Sequence, residues 1–176
     1  MEERSPRRSN PLSWLLFAAA LAILVGRLLA PSGPKVGEFA PDLAIPLLGG
    51  GESSLSAYRG QVVVLDFWAT WCPPCVESLP TLGRVSREFA DRGLVTLAVN
   101  RDEGPNREQR VKAFLEASGI ADLPVGLDDG TAAGAMRVRA LPTLVILDRE
   151  GRVAASHVGA MPEDAMRAVF ASALEL

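Results

Sequence analysis

The pattern of apolar and polar positions separates the first thirty residues from the rest of the chain. Residues 12–30 are almost entirely apolar or small and carry a single charge, Arg27. Further along, Val62–Trp68 is a run of β-branched, aliphatic and aromatic residues that is interrupted only by Asp66. A run of this length and composition predicts a buried central strand. The same pattern predicts two more strands, Leu94–Val99 and Thr143–Leu147.

Apolar residues at helical spacing predict three helices in this second region. The first follows residue 75, and Pro80 inside it should kink it by removing a backbone hydrogen bond. Residues 107–118 and 163–174 are also amphipathic, and a turn at 148–151 predicts that Val153–Val158 is the hairpin partner of the preceding strand. This order predicts an α/β fold with a central mixed sheet flanked by helices. The apolar positions of the first helix are Val76, Leu79, Leu82, Val85 and Phe89.

The apolar N-terminal stretch predicts a membrane segment. With Arg27 close enough to its end to reach the interface, it approaches the roughly 20 residues that a spanning helix needs. We therefore expect residues 1–30 to be a membrane anchor, 31–36 a linker and 37–176 a folded domain. A cleaved signal peptide stays the alternative, since it also has a charged start and a short apolar region. The preceding arginines, Arg4, Arg7 and Arg8, favour a cytoplasmic N-terminus and a domain in the periplasm or an equivalent outer compartment.

Composition narrows the possible functions. Hydrophobic residues make up 48% of the chain, which is enough for a core, and the formal net charge is −3 with a pI near 5.3. We expect no nucleic-acid partner, because such a protein needs a basic face. The chain has two cysteines. Disulfides persist in an outer compartment, so two cysteines there could form a disulfide pair.

The two cysteines form a C-x-x-C motif, Cys72-Pro73-Pro74-Cys75, between a predicted strand and a predicted helix. This arrangement is typical of thiol–disulfide exchange, because two intervening residues let the sulfurs approach bonding distance. The unpaired amides and the dipole at a helix N-terminus favour the thiolate of Cys72. Pro73 and Pro74 fit the first turn, where their missing amides have no use. We expect Cys72 to be the nucleophile and Cys75 the less accessible resolving thiol.

A structural zinc site and a purely structural disulfide are the alternatives to redox chemistry at this motif. A structural zinc site needs four ligands, and the chain offers two cysteines and one histidine. A purely structural disulfide would close a very short loop and add little stability. Neither accounts for the motif as well as redox chemistry does, and we expect no metal at the cysteines.

Asp66 is the unusual residue of the predicted central strand. An ionised carboxylate is costly to bury, so burial should raise its pKa. Alternation places its side chain on the side of Val64 and Trp68, beneath the predicted helix. From there it would take the proton of Cys75, directly or through a water, as that thiol attacks a mixed disulfide. The alternative is an aspartate that faces solvent.

Two further residue types bear on binding. Trp68 is expected in the core, whereas Trp71, immediately before Cys72, is expected to contact a substrate peptide. His157 is the single histidine of the chain and lies late in a predicted edge strand. We expect it to be solvated or hydrogen-bonded there. A copper site formed with the two cysteines is the alternative.

Several motifs together resemble the thioredoxin superfamily. They are FWATWCPPC at 67–75, the proline five residues after the second cysteine, and LPT at 141–143. The resemblance covers roughly residues 37–174 and is closest to the membrane-anchored bacterial TlpA/ResA-type thiol–disulfide oxidoreductases. It implies a thioredoxin-like fold with an N-terminal extension and one inserted helix near 107–118. It also implies that Pro142 is cis and that Leu141 and Pro142 contact the substrate chain beside the cysteine pair.

The sequence departs from this family at two positions. Many members carry asparagine where Asp66 stands, and an acid three residues after the second cysteine. Here that later position is Ser78, and Glu77, one residue earlier, lies on a different helical face. Asp66 in this respect resembles the buried acid of thioredoxin itself. Specificity cannot be carried over from members that use the later acid.

The resemblance implies a protein-disulfide reductase that faces the periplasm and is re-reduced by a membrane thiol–disulfide carrier. Apocytochrome c or a copper-site protein of a terminal oxidase would be its substrate. The Pro-Pro dipeptide lacks the histidine that stabilises the thiolate of oxidising relatives, which also favours a reductant. We expect no cofactor beyond the redox-active cysteines. A disulfide-forming oxidase, a copper metallochaperone using Cys72, Cys75 and His157, and a structural interaction domain are the alternatives.

Overall fold

The structure, a computed structural model, describes residues 11–28 and 33–176. These residues fall into two units, and the first consists of helix α1, Pro11–Leu28. Its residues from Leu12 to Gly26 are exposed. Across the described ranges, no helix combines the length and the apolar character needed to cross a membrane. Arg4, Arg7, Arg8 and the first two residues of the predicted linker, Pro31 and Ser32, lie outside the described residues.

The second unit begins with a small antiparallel hairpin of strands β1 (Ala44–Pro46) and β2 (Glu52–Ser54), followed by a 3-10 turn at Leu55–Tyr58. The main sheet has five strands in the order β5-β4-β3-β6-β7. Strands β3, β4 and β5 are parallel, whereas β6 pairs antiparallel with both β3 and β7. The strands are β3 (Val62–Trp68), β4 (Leu94–Asn100), β5 (Val125–Leu127), β6 (Thr143–Leu147) and β7 (Val153–Val158).

Helices cover both faces of this sheet. On one face, α2 (Pro73–Phe89), α3 (Arg107–Ala117) and α5 (Glu163–Leu174) bury their apolar sides against alternate residues of the strands, such as Val64 and Ile146. On the other face, the short helix α4 (Thr131–Ala135) packs with the β1–β2 hairpin and the 3-10 turn. The predicted central mixed sheet flanked by helices is therefore confirmed.

The long elements follow the sequence prediction closely, and the short ones were missed. Strands β3, β6 and β7 and helix α5 have the predicted bounds, and β4 and α3 differ by a single residue. Strand β5, helix α4 and the β1–β2 pairing were not predicted, because segments of three to five residues are too short to show a period.

Strand β5 depends on a glycine that lets another segment approach closely. A Cβ atom on Gly126 would lie 2.5 Å from Cγ2 of Ile45, which is itself buried. Gly126 also bridges to Leu47. A glycine inside a strand often marks such a close approach. The absence of its side chain thus lets the β1 segment pack against the end of the main sheet.

Candidate active site

The two cysteines lie at the start of α2, just after the short connection that follows β3. Cys72 caps the helix, and Pro73 is its first residue. The backbone N–H of Cys75 donates to the carbonyl of Cys72 at 3.0 Å, and the two side chains form a disulfide. Cys72 is 5% exposed and Cys75 1%, which fits the predicted order of accessibility. Pro73 and Pro74 are exposed beside the disulfide.

The segment before β6 lies close to this turn. The Leu141–Pro142 peptide bond is cis, as the resemblance implied. Leu141 and Trp71 line one groove of about 180 Å³, although they come from distant parts of the chain. Trp71 is 66% exposed, whereas Trp68 is fully buried and its ring centroid lies 5.3 Å from that of Phe114 in α3. The remaining residues of the groove are Arg101, Glu103, Ala133, Val138, Arg139 and Ala140.

Asp66 lies beneath the helix that carries the cysteines, as predicted. Its side chain shares a small cavity of about 10 Å³ with Ser78 of α2 and Pro142, and a cavity of that size has room for roughly one water. Burial raises the pKa of Asp66 from 3.8 to about 7, because desolvation disfavours the charged form. The other residues that line the cavity are Leu82, Leu144, Gly159, Ala160, Met161 and Met166.

No other ionisable side chain lines that cavity among the described residues. Ser78 stands where the resemblance suggests an acid, and its hydroxyl donates to the carbonyl of Cys75 at 3.2 Å. Glu77 is exposed and does not reach the cavity. Within the described chain, Asp66 is therefore the one acid of this cavity, beneath the helix that carries the cysteines.

Sequence reasoning missed a buried carboxylate at the same edge of the sheet. Asp102 follows β4 and is completely buried. Its oxygens accept hydrogen bonds from the N–H and the hydroxyl of Thr70, at 2.8 and 2.6 Å. One feature pointed to it: the carboxyl ends of the parallel strands β3 and β4 meet at one edge, so polar residues directly after each strand should lie close together.

His157 lies on the edge strand β7 and is exposed, as predicted. It faces Leu144 of β6, which in turn faces Asp66 of β3. Two strand spacings, roughly 10 Å, therefore separate the backbone of His157 from that of Asp66. In the part of the chain that the structure describes, no three His, Cys, Asp or Glu side chains are grouped so that they could hold a metal ion.

Comparison with known proteins agrees with this geometry. Residues 36–156 match the family described as AhpC/TSA. The chain is 35% identical to "Thioredoxin-like protein YneN" of Bacillus subtilis (strain 168), over 76% of this chain and 78% of that one. It is 32% identical to "Thiol-disulfide oxidoreductase ResA" of Geobacillus kaustophilus (strain HTA426), over 93% of this chain and 92% of the relative.

A solved structure is similar over the same region. It is that of "a putative Thiol:disulfide interchange protein DsbE from Chlorobium tepidum", with a TM-score of 0.72 and 33% sequence identity. The similarity covers 80% of this chain and 99% of the other. StoA of Bacillus subtilis and dsbF of MTB, at 23% and 22% identity, share the fold, with TM-scores of 0.63 and 0.68.

Proposed function

The chain belongs to the AhpC/TSA family and is a thiol–disulfide oxidoreductase of thioredoxin-like fold, and on this basis we propose that it reduces protein disulfides outside the cytoplasmic membrane. The observation that carries the proposal is the stacking of three parts. The Cys72–Cys75 disulfide lies at the start of α2, Trp71 of the groove directly precedes Cys72, and the buried Asp66 shares a cavity with Ser78 of α2.

In the first step, the thiolate of Cys72 attacks one sulfur of a substrate disulfide. A Cys72–substrate disulfide forms, the substrate disulfide breaks, and the first substrate thiolate leaves. The position of Cys72 at the N-terminus of α2 supports this role, because the unpaired amides and the helix dipole stabilise its thiolate. The rate of the step depends on the pKa values of the attacking and leaving thiols and on access to the sulfur.

In the second step, Cys75 resolves the mixed disulfide. Asp66 accepts the proton of the Cys75 thiol, directly or through one water in the cavity. The resulting thiolate attacks the sulfur of Cys72, so that the Cys72–Cys75 disulfide forms and the second substrate thiolate leaves. An acid with a pKa near 7 suits this role, since an effective proton acceptor has a pKa close to the working pH.

The substrate is a disulfide-containing protein, and its chain lies across the exposed surface of the site. Trp71 and Leu141 line the groove, Pro73 and Pro74 follow Cys72 at the start of α2, and Pro142 is joined to Leu141 by a cis peptide bond. Trp71 offers a large apolar surface that is already exposed, which lowers the cost of ordering it on binding. Apocytochrome c and the copper-site protein of a terminal oxidase are the two substrates that we propose to test.

Each cycle leaves the cysteines oxidised, so two electrons must return from another thiol. We propose a membrane thiol–disulfide carrier as the donor and expect no bound cofactor, because the cysteine pair itself holds the two electrons. The first test is the reduction potential of the pair, by equilibration in dithiothreitol or glutathione buffers. A potential near −270 mV, as in thioredoxin, would support a reductant, whereas one near −120 mV would make the protein an oxidase.

We further propose that residues 1–30 hold the domain on the outer side of the cytoplasmic membrane. The support is the apolar stretch with arginines before it. Fusing a reporter that is active only outside the cytoplasm after residue 36 tests the location, and fractionation with N-terminal sequencing tests retention. We expect the reporter to be active, and we expect the protein to be found in the membrane fraction with its N-terminus intact. An inactive reporter would contradict the location, and a mature chain that begins near residue 31 would favour the cleaved signal.

A further inference from the structure

The turn that leads into the active-site cysteines is tied to a distant carboxylate. Asp102 is fully buried and its carboxylate accepts both polar hydrogens of Thr70, the backbone N–H at 2.8 Å and the hydroxyl at 2.6 Å. Thr70 stands two residues before Cys72. The N–H of Cys72 in turn donates to the carbonyl of Ala69 at 3.2 Å. The turn at residues 69–72 is therefore closed by its own hydrogen bond and tied to Asp102 through Thr70.

The same carboxylate is tied to the inserted helix α3. The Nε atom of Arg110 lies 3.6 Å from Asp102 Oδ2, and its side chain is 45% exposed. A second nitrogen of Arg110 donates to the carbonyl of Glu103 at 2.7 Å, which orients the guanidinium. On the inner side, the N–H of Asp102 donates to the side-chain oxygen of Asn100 at 3.0 Å.

A buried carboxylate is costly unless it is paired and hydrogen-bonded. The carboxylate of Asp102 is bound by Thr70, in the turn before Cys72, and by Arg110 of α3. The contacts that offset the cost of burying the carboxylate therefore also hold the turn in place. A nearby anion disfavours a thiolate and a nearby cation favours it, so the charges of Asp102 and Arg110 should have opposite effects on the thiolate of Cys72. Arg101, next to Asp102, is engaged elsewhere, since its Nη1 atom lies 2.7 Å from Asp128.

We propose that Asp102 and Arg110 are positioning residues for Cys72. Asp102 holds the turn that presents the nucleophile, and Arg110 offsets the charge of Asp102 on the thiolate. This role rests on the assignment of Cys72 as the nucleophile. Other charged side chains near the turn are Arg101, Glu103 and Arg139, which line the groove with Trp71, and Asp66, which lies beneath α2.

The electrostatic half of the proposal predicts shifts of opposite sign. In the reduced full-length protein, the pKa of the Cys72 thiol is obtained from the rate of alkylation by iodoacetamide as a function of pH. Asp102→Asn should lower this pKa and Arg110→Gln should raise it, each by about half a unit, because the removed charges have opposite signs. Arg87→Gln, which breaks an exposed ion pair with Asp122 at 2.9 Å near the end of α2, is the matched control and should leave the pKa unchanged.

A merely structural role would loosen the turn in both variants and move the two pKa values in the same direction. Shifts of the same sign, or no shift in either variant, would overturn the electrostatic role. The alkylation measurement needs neither a substrate nor an electron donor. It therefore separates a failure of this inference from a failure of the proposed reductase activity, which would appear as an absence of turnover in the wild-type protein.

The positioning half is tested without a change of charge. Thr70→Val removes the hydroxyl bond to Asp102 and keeps the backbone bond, so it should lower kcat/KM for a disulfide substrate several-fold while the Cys72 pKa stays unchanged. Thr70→Ser restores the hydroxyl and should restore the rate. A Thr70→Val protein that folds and turns over like the wild type would overturn the positioning role.

Discussion

Asp66 and Ser78 line the same small cavity, one from strand β3 and the other from helix α2. Ser78 occupies the position three residues after the second cysteine, where the resemblance suggests an acid. The cavity thus keeps a single ionisable group among the residues that the structure describes, but the group is attached to the sheet instead of the helix. In the proposed mechanism, the proton acceptor would therefore stay with the sheet while the sulfurs change partners.

Replacing each cysteine singly should block a different step of the reaction. Cys75→Ser should accumulate a mixed disulfide with the substrate, because Cys72 can still attack and nothing resolves the product. Cys72→Ser should abolish turnover and form no such adduct. Non-reducing gel electrophoresis with mass spectrometry measures both, and dithiothreitol should release the trapped substrate. Adducts through Cys75 would reverse the assigned order.

Asp66→Asn should slow the resolving step by at least about tenfold, because general base catalysis typically contributes 10²- to 10⁴-fold. In the wild type, the rate of resolution should rise with pH through about 7, as burial raises the pKa of Asp66 to that value and the ionised form is the base. The variant should lack this rise. Rapid mixing of the preformed mixed disulfide at several pH values measures the step, and an unchanged rate would remove Asp66 from the mechanism.

The same residue should make stability depend on pH. The pKa of Asp66 is raised from 3.8 to about 7 in the folded protein, so between these values the folded state binds more protons than the unfolded state. Stability contributed by the protonated form is thus complete below the unfolded pKa and is lost as pH rises through the folded pKa. At about 1.4 kcal/mol per unit, the cost at high pH is on the order of 4 kcal/mol.

Asp66→Asn should therefore be more stable than the wild type at pH 8.5 and nearly equal to it at pH 4. Urea unfolding at both pH values measures the difference for the oxidised protein. Asp91→Asn, at an exposed turn, is the control and should show no comparable pH-dependent gain. Equal stability of Asp66→Asn and wild type at both pH values would mean that Asp66 is hydrated.

Trp71→Ala should weaken substrate binding more than it slows the chemistry. Truncating an aromatic anchor at an interface commonly costs more than 1 kcal/mol, so KM for a protein substrate should rise by about tenfold with a small change in kcat. Reduction of a small disulfide that does not fill the groove should change little. A KM that stays constant for the protein substrate would exclude Trp71 from the binding surface.

Gly126→Ala should destabilise the domain by about 1–3 kcal/mol, as overpacking in a tight core does. The added Cβ would lie 2.5 Å from Ile45 Cγ2, whereas a Cβ on Gly134 of α4 would meet no atom within 4 Å. Gly134→Ala is therefore the matched control and should be neutral or stabilising. In a double-mutant cycle, Ile45→Ala should recover part of the loss. Strict additivity of the two changes would show that the contact is not tight.

The sequence was sufficient where a local pattern carries the information. The run Val62–Trp68 is long enough to define β3, and the spacing of Cys72 and Cys75 after it locates the redox site. Asp66 could be found because a carboxylate interrupts an apolar run. Its pKa could be predicted in direction because burial alone causes the shift.

The rest depends on contacts between distant segments, which no local pattern contains. Thr70 and Asp102 are 32 residues apart, and only the pairing of β3 with β4 brings them together. The walls of the Asp66 cavity likewise come from several separate segments. Gly126 of β5 leaves room for Ile45, and a glycine in a short segment does not indicate such a partner.

The cavity around Asp66 also has a consequence for the protein during its synthesis and folding. Asp66 and the cysteines are synthesised early, whereas Met161 and Met166, which close the cavity, come near the end of the chain. Until α5 packs, water reaches the carboxylate and its acidity is that of an ordinary aspartate. In the proposed mechanism, a chain that has not finished folding therefore has its thiols but lacks a base with a pKa near 7. On that mechanism, resolution by Cys75 would reach its full rate only after α5 has packed over the cavity.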